Sequence, residues 1–134
     1  MLAKQISVFL ENKPGQLANF IQMLADHHID LQALSLAEAQ EYGLVRIVVD
    51  KPEDTVALLK EQNWPCALTE VLSVLVPDKP GSLTEILRVL AQNGINVAYS
   101  YAFLTRVQGH ACIILRVEDN ERATALLTAA GVID

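Results

Sequence analysis

The chain repeats itself, and this internal repeat limits the possible folds more than any other feature of the sequence. Moving the 134-residue sequence by 66 positions places Lys13-Pro14-Gly15 on Lys79-Pro80-Gly81 and Leu17 on Leu83. Nine residues are identical within the 24 positions that begin at Ser7, and most of the remaining pairs are conservative. Such a repeat predicts two copies of one structural unit.

The second half of each copy follows the first with a small offset. We match Gly43 with Gly109, after which two extra residues in the second copy raise the displacement to 68. No Pro- or Gly-rich linker separates the copies, so we expect them to be packed together. The predicted modules are residues 1–69 and residues 70–134.

The hydrophobic pattern predicts the element order βαββαβ in each copy. In the first copy, apolar residues alternate from Ile6 to Leu10, as in a half-buried strand. They then recur every three or four residues from Leu17 to Ala25, as on one face of a helix. The remaining elements of this copy are predicted as strands at 31–39 and 44–49, a helix that starts at Pro52, and a fourth strand near 66–68 that can run on into Val71 to Val76 with little break.

This order predicts an α+β chain made of two ferredoxin-like modules, each with an antiparallel four-stranded sheet and both helices on one face. In the second copy only Val132-Ile133-Asp134 follows the last helix. Its fourth strand is therefore predicted to be short or missing. Ser82 stands three residues before Glu85, the spacing of a capping box at a helix start.

The third strand of each copy is apolar on both faces. Val45 and Ile47 can face the helices, but Leu44 and Val48 then point to the opposite side, and Cys112 and Ile114 do the same in the second copy. A sheet face that meets water should carry polar residues at these positions. We therefore expect the second face to be covered, by the sister module or by another chain.

Composition excludes several classes of function. A net charge of −6 with scattered basic residues argues against nucleic acid binding. No apolar run is long enough to span a membrane, and residues 1–4 do not resemble a signal peptide, so we expect a cytoplasmic protein. The two cysteines, Cys66 and Cys112, are predicted to be reduced core residues, and no cofactor or metal site is expected.

The repeated segments resemble the ACT domain, a family of small modules that bind amino acids. The resemblance rests on the first strand, the segments Glu11-Asn12-Lys13-Pro14-Gly15-Gln16-Leu17 and Pro77-Asp78-Lys79-Pro80-Gly81-Ser82-Leu83, the helix after each, and the start of the next strand. It covers nearly the whole chain as a tandem pair. It implies a regulatory protein, not an enzyme, that binds a free amino acid at the seam between modules and acts on a partner, with a homodimer as the expected assembly.

The resemblance also implies the ligand contacts, which in this family lie in the loop after strand one and at the start of strand two. The corresponding residues are Asn12, Lys13, Pro14, Gly15, Gln16, Leu17 and Asp30 in the first copy, and Asp78, Lys79, Pro80, Gly81, Ser82, Leu83 and Asn96 in the second. The loops differ in their polar residues, so the two sites need not share affinity or ligand.

Physical chemistry supports this assignment but does not exclude a purely structural role for the same residues. A glycine lets the backbone approach a ligand closely, and a helix start presents unpaired N–H groups that suit a carboxylate. However, Asn or Asp beside a Pro-Gly turn is common for turn formation alone. Tyr99 and Tyr101 could line a pocket, but aromatic residues on a strand more often fill a core.

Two further classes of function can be compared with an amino acid sensor. Arg106-Val107-Gln108-Gly109 is similar to the arginine loop of acylphosphatases, but that loop follows the first strand, whereas this segment is predicted between strands two and three. No nucleophile stands with a base, and His27 and His28 are interpreted as the end of a helix. The alternative to a sensor is a ligand-free interaction protein or an assembly subunit of an amino-acid biosynthetic enzyme.

Overall fold

The computed structural model describes residues 1–39, 41–105 and 107–133. They form an α+β fold with six strands and four helices, which confirms the predicted class. In chain order the elements are β1 (Leu2–Glu11), α1 (Gln16–Asp26), β2 (Leu31–Ala39), β3 (Tyr42–Val49), α2 (Pro52–Glu61), β4 (Cys66–Pro77), α3 (Ser82–Gln92), β5 (Tyr99–Ala102), β6 (His110–Arg116) and α4 (Asn120–Ala129). No helix of the described chain is long and apolar enough to cross a bilayer.

The chain divides into two compact units, the first of which is Lys4–Glu70. Here β3 pairs antiparallel with β1 on one side and with β2 on the other. Because side chains alternate along a strand, one face of these strands packs against the helices. The buried core consists of Ile6, Val8, Leu10, Phe20, Leu24, Val45, Ile47, Val49 and Leu59.

The second unit contains the chain from Val71 onward together with Met1–Ala3. In this unit β6 pairs antiparallel with β4 and with β5. The Ser73 amide donates a hydrogen bond of 2.8 Å to the Met1 carbonyl, so the first residues lie along the other side of β4. The buried core consists of Leu72, Val74, Val76, Ile86, Leu90, Leu115, Val117, Ala123 and Leu127.

The separate four-stranded sheet predicted for each module is not confirmed, because β1 and β4 each contribute residues to both units. The fourth strand predicted near residues 66–68 runs on without a break to Pro77. In the part of the chain that the structure describes, no strand follows α4. Met1–Ala3 instead lies beside β4, where a strand of that kind would pair.

The match of Gly43 with Gly109 is wrong. Gly43 is a strand residue that pairs with Leu10, whereas the residue that pairs with Val76, the counterpart of Leu10, is Ala111. The two extra residues of the second copy therefore lie before His110, in the connection from β5 to β6. This connection can lengthen without disturbing either strand, because it lies outside the hydrogen-bonded ladder.

On the strand face away from the helices, Val48 and Ile114 are buried, at 4% and 0% exposure. Leu44 and Cys112, on the same face, are half-buried. Phe9 and Leu75, which pair with Leu44 and Cys112 on this face, are 46% and 43% exposed. The expected cover of the second face is therefore found over part of it. Both cysteines are free thiols.

Candidate functional site

A glycine in the left-handed conformation precedes the first helix of each copy. Gly15 has φ +87° before α1, and Gly81 has φ +91° before α3. A side chain at such a φ is strained, so glycine is the residue that forms this corner readily. Neither helix start is capped by a side chain. We call residues 12–17 and 78–83 the first and second corner loops.

The first corner loop presents two N–H groups at the start of α1. The Gln16 amide donates to the Lys13 carbonyl at 3.2 Å, and the Asn19 amide donates to the Gly15 carbonyl at 2.9 Å. Between them, the amides of Leu17 and Ala18 have no backbone acceptor in the described chain. Unpaired amides at the positive end of a helix dipole favour an anionic group such as a carboxylate.

The second corner loop repeats this arrangement. The amides of Ser82 and Glu85 donate to the carbonyls of Lys79 and Gly81, both at 3.3 Å. The amides of Leu83 and Thr84 find no backbone acceptor among the residues described. The duplicated sequence therefore produces a duplicated anion-binding geometry.

The capping box predicted at Ser82 is wrong. Gly81 occupies the N-cap position, so Ser82 is already the first helical residue, and its hydroxyl does not cap the helix. Ser82 is 7% exposed, and its Oγ is buried with no hydrogen-bond partner among the residues described. A buried hydroxyl without a partner is unfavourable. Gln16, the counterpart in the first loop, is half-buried and does not share this property.

Charge also distinguishes the two loops. In the first, Lys13 Nζ lies 2.8 Å from Glu11 Oε2. Hydrogen bonding and attraction between these groups lower the pKa of Glu11 and raise the pKa of Lys13. The second loop has Pro77 at the position of Glu11, and Lys79 forms no ion pair within the described chain. The second loop thus keeps an unneutralised ammonium group.

Equivalent concave surfaces lie beside the first strand of each copy. The one in the first unit measures about 470 Å³ and includes Phe9, Gln16, Tyr42 and Trp64. The one in the second unit measures about 390 Å³ and includes Leu75, His110 and Val132 at the corresponding positions. Gln16 is thus a predicted ligand residue that borders a pocket.

The structure does not bring Asn12 and Asp30 together within the first unit. The Asn12 amide donates to the Glu41 carbonyl, next to the start of β3, whereas the Asp30 amide donates to Asp50 Oδ1, just past the end of β3. Eight or nine residues of extended chain separate these two points, or roughly 27–30 Å. A site that uses both residues therefore requires two modules.

The second unit repeats this separation. The Asp78 amide donates to the Gly109 carbonyl at the start of β6, whereas Asn96 lines a cleft that also contains Arg116, at the end of β6. The rings of Tyr99 and Tyr101 are stacked with centroids 6.4 Å apart, and Tyr99 borders the same cleft.

The other predicted ligand residues lie within the two corner loops. Leu17 and Leu83 are half-buried on the first turns of α1 and α3, and Leu17 packs against its core. The exposed residues of the two loops are Asn12, Lys13, Pro14, Gly15, Asp78, Lys79, Pro80 and Gly81. These eight can be reached by a ligand or by another chain.

The described residues that were considered for metal binding do not form a cluster. Among the described residues, no group of three or more His, Cys, Asp or Glu side chains could hold a metal ion. His27 Nδ1 lies 2.9 Å from the Met23 carbonyl at the end of α1, which agrees with its interpretation as a helix end. Arg106, of the acylphosphatase-like segment, lies outside the described residues, and Val107 to Gly109 stand between β5 and β6.

Solved structures of other proteins share this fold. A protein from Bacteroides thetaiotaomicron is similar with a TM-score of 0.90 at 31% identity, over 99% of this chain and 91% of that one. The ligand-free regulatory subunit of aspartate kinase from Thermus thermophilus has a TM-score of 0.67 at 18% identity, over 97% of this chain and 95% of that one. The regulatory subunit of aspartate kinase from Thermus flavus has a TM-score of 0.60 at 17% identity, over 98% of this chain and 94% of that one. At these lower identities the likeness is one of fold.

No curated protein sequence matches the chain. The family described as an ACT domain pair matches residues 1–131, nearly the full length. This match agrees with the two copies of the glycine corner and with the repeated order of helices and strands. The chain belongs to the ACT domain family and is an ACT domain pair.

Proposed function

We propose that this chain is a non-catalytic regulatory protein that binds a free amino acid and passes on the bound state to a partner protein. The observation that carries the proposal is the duplicated corner loop. Each loop offers two adjacent amides that have no backbone acceptor in the described chain, at a helix start and beside a glycine that leaves the backbone open. An α-carboxylate matches these donors.

The ligand is proposed to bind where two ACT modules meet. This placement is supported by the separation of Asn12 from Asp30, because one module cannot direct both toward the same small molecule. In the proposed homodimer, the partner chain supplies the second module. The loop amides then hold the carboxylate, and Asp30 or Asn96 of the other module accepts from the ammonium group.

Regulation in this proposal is a shift between two arrangements of the modules. A ligand that contacts two modules stabilises the arrangement in which both contacts form, and the partner protein distinguishes that arrangement from the other. A regulated enzyme of amino acid metabolism is the proposed partner. The fold shared with regulatory subunits of aspartate kinase supports this choice. The two free thiols agree with the proposed cytoplasmic location.

Thermal unfolding of the purified chain with each of the twenty amino acids tests the proposal. A ligand present at 100 times its Kd stabilises a protein by about 2.7 kcal/mol, which raises the Tm by several degrees. The decarboxylated amine of the best amino acid is the control, and it should have no effect because it lacks the group that the loops bind. If no amino acid raises the Tm, the sensing role is wrong.

An interaction or assembly subunit is the second candidate. Phe9 and Tyr42 favour it, because their rings pack edge to face at 5.6 Å while each residue stays 46% exposed. Exposed aromatic pairs are typical of protein interfaces. Light scattering of Phe9→Ser tests this candidate. Dissociation of the dimer in this variant would favour it, provided that no amino acid raises the Tm of the unchanged protein.

A further inference from the structure

A cleft of about 880 Å³ in the second unit shares only Asn96 with the function proposed above, which gives no role to its other lining residues. It lies between the end of α3, the end of β6 and the start of α4. Its lining includes Asn96, Tyr99, Arg116, Glu118, Glu121 and Arg122. All of its lining residues fall between positions 94 and 122, so one module forms it completely.

Two arginines in this cleft are held in place without a carboxylate. Arg122 Nη2 donates to the Asn93 carbonyl at 2.9 Å, and Arg116 Nη1 donates to the Val117 carbonyl. Neither guanidinium forms an ion pair within the described chain. A guanidinium has five N–H donors, so most of its donors stay available after one bond to the backbone. Both cations are therefore positioned by backbone carbonyls and form no direct ion pair in the described chain.

The repeat shows that the fold does not require these arginines. Val48 and Asp54 stand at the positions of Arg116 and Arg122 in the first copy, displaced by 68 residues. Both copies nevertheless fold with the same order of elements. The arginine pair is thus a property of the second module alone.

Carboxylates complete the charge pattern of the cleft. Asp119 is already engaged, because its Oδ1 accepts from the Arg122 amide at 3.0 Å as the cap of α4. Glu118 and Glu121 are exposed and form no ion pair in the described chain. With Asp119 the cleft holds three carboxylates and two guanidinium groups, so a simple anion and a simple cation each meet charges of their own sign. A molecule with one charge of each sign can contact both kinds of group.

We propose that this cleft is a second ligand site, one that binds a zwitterion of the α-amino acid class. Arg116 and Arg122 hold the carboxylate, and Glu118 and Glu121 face the ammonium group. The remaining volume, bordered by Tyr99, accommodates a side chain. The ligand class is that of the proposed function, but the site is formed by one module and uses neither corner loop. Either site can exist without the other.

Backbone amide NMR of the ¹⁵N-labelled full chain separates the two sites. The probes are the twenty amino acids, with acetate and methylammonium as fragments that carry one charge each. An amino acid is expected to move the amide signals of residues 118–122 in a saturable way; these residues report on the cleft because, unlike Asn96, they have no part in the proposed function. Acetate and methylammonium are each expected to bind at least about tenfold more weakly, because each loses one set of charge-assisted hydrogen bonds.

Variants give the second measurement. In Arg116→Gln/Arg122→Gln, the Kd reported by the cleft amides should rise at least about tenfold, whereas any response at residues 15–18 and 81–84 should be unchanged. Arg88→Gln is the matched control, because Arg88 is an exposed arginine on α3 that does not line the cleft. It should leave the Kd unchanged.

Three results would overturn the inference. In the first, amino acids move the signals of the corner loops and leave those of residues 118–122 unmoved, which spares the proposed function. In the second, acetate binds the cleft as tightly as any amino acid, which identifies a general anion site. In the third, the double variant and Arg88→Gln weaken binding equally. A cleft response without a loop response supports this inference and contradicts the loop assignment.

Discussion

The two corner loops have nearly the same backbone and different surroundings. Gly15 and Gly81 differ by only 4° in φ, since their values are +87° and +91°. Around the first corner Lys13 is paired with Glu11, and Trp64 packs edge to face on Phe20. The ammonium group and the indole ring at this corner therefore both have a partner within the first module.

Around the second corner several groups lack a partner. Lys79 has no ion pair within the described chain, and the Oγ of Ser82 is buried without a hydrogen bond. Val132, at the position of Trp64, is a smaller side chain that packs against the second core. Duplication thus preserved the backbone geometry and left the side chains free to diverge. We expect the second loop to be the tighter carboxylate site, and the predictions below test this difference between the copies.

The largest difference in stability between the copies is expected at the residue that follows the second helix of each module and packs against its core. Trp64 packs against its core with its ring 5.3 Å from that of Phe20, whereas Val132 is a smaller, partly buried residue. Trp64→Ala should lower the free energy of unfolding by about 3 kcal/mol, and Val132→Ala by about 1 kcal/mol. Urea unfolding followed by circular dichroism measures both, since Trp64 is the single tryptophan and its fluorescence is lost in one variant.

Trp64→Phe is the control for this comparison, because it keeps an aromatic ring beside Phe20. It should recover more than half of the loss. Equal losses of unfolding free energy in Trp64→Ala and Val132→Ala would show that the two residues stabilise their modules equally.

The second prediction concerns the glycine corners themselves. Gly15→Ala and Gly81→Ala should each lower the free energy of unfolding by about 1–2 kcal/mol, because alanine is strained at positive φ. No atom lies within 4 Å of a Cβ added at either position, so the cost comes from the backbone alone and should be equal in both copies. Thermal unfolding measures it. Asparagine, which tolerates the left-handed region, should cost less at each site.

Sequence patterns predicted the local elements of this fold well. The bounds of β2, Leu31–Ala39, follow from the apolar pattern, and Pro52 opens α2 because its fixed φ suits a first turn. The place of Met1–Ala3 beside β4 was not predictable in this way. Such pairing depends on which edge is left open after the whole chain folds, and no local pattern encodes that edge.

The candidate site was predictable in its backbone and not in its side chains. The Pro-Gly pairs predicted both corners, since glycine is the residue that takes a positive φ readily. The burial of Ser82 was missed because the capping pattern ignores whether Gly81 already occupies the N-cap. Arg116 and Arg122 were missed because the two copies were compared for identical residues. The informative signal was a difference, since arginine stands in the second copy where the first has Val48 and Asp54.

The third prediction is a small gain of stability in the absence of ligand. Ser82→Ala removes a buried hydroxyl without a partner, so it should raise the free energy of unfolding by about 1 kcal/mol. Gln16→Ala, the same change in the first copy, should have an effect within about 0.5 kcal/mol of zero. Thermal unfolding compares the two. A loss of stability in Ser82→Ala would mean that the hydroxyl has a partner in solution.

The smallest expected effect concerns the ion pair of the first loop. Lys13 lowers the pKa of Glu11, so the pair stabilises the folded state above the ordinary pKa of glutamate, and this contribution is lost as the pH falls through the lowered value. Both side chains are largely exposed, so the change in Tm for Lys13→Met should be smaller than in the other comparisons. The titration itself is the sensitive measurement: carboxyl ¹³C NMR should show the pKa of Glu11 rising to its ordinary value.

Lys79→Met is the matched control and should move no glutamate pKa, because Pro77 replaces the acidic partner in the second copy. An unchanged pKa of Glu11 in Lys13→Met would mean that the first loop carries a free ammonium group in solution, as the second does, and the charge difference between the two loops would disappear.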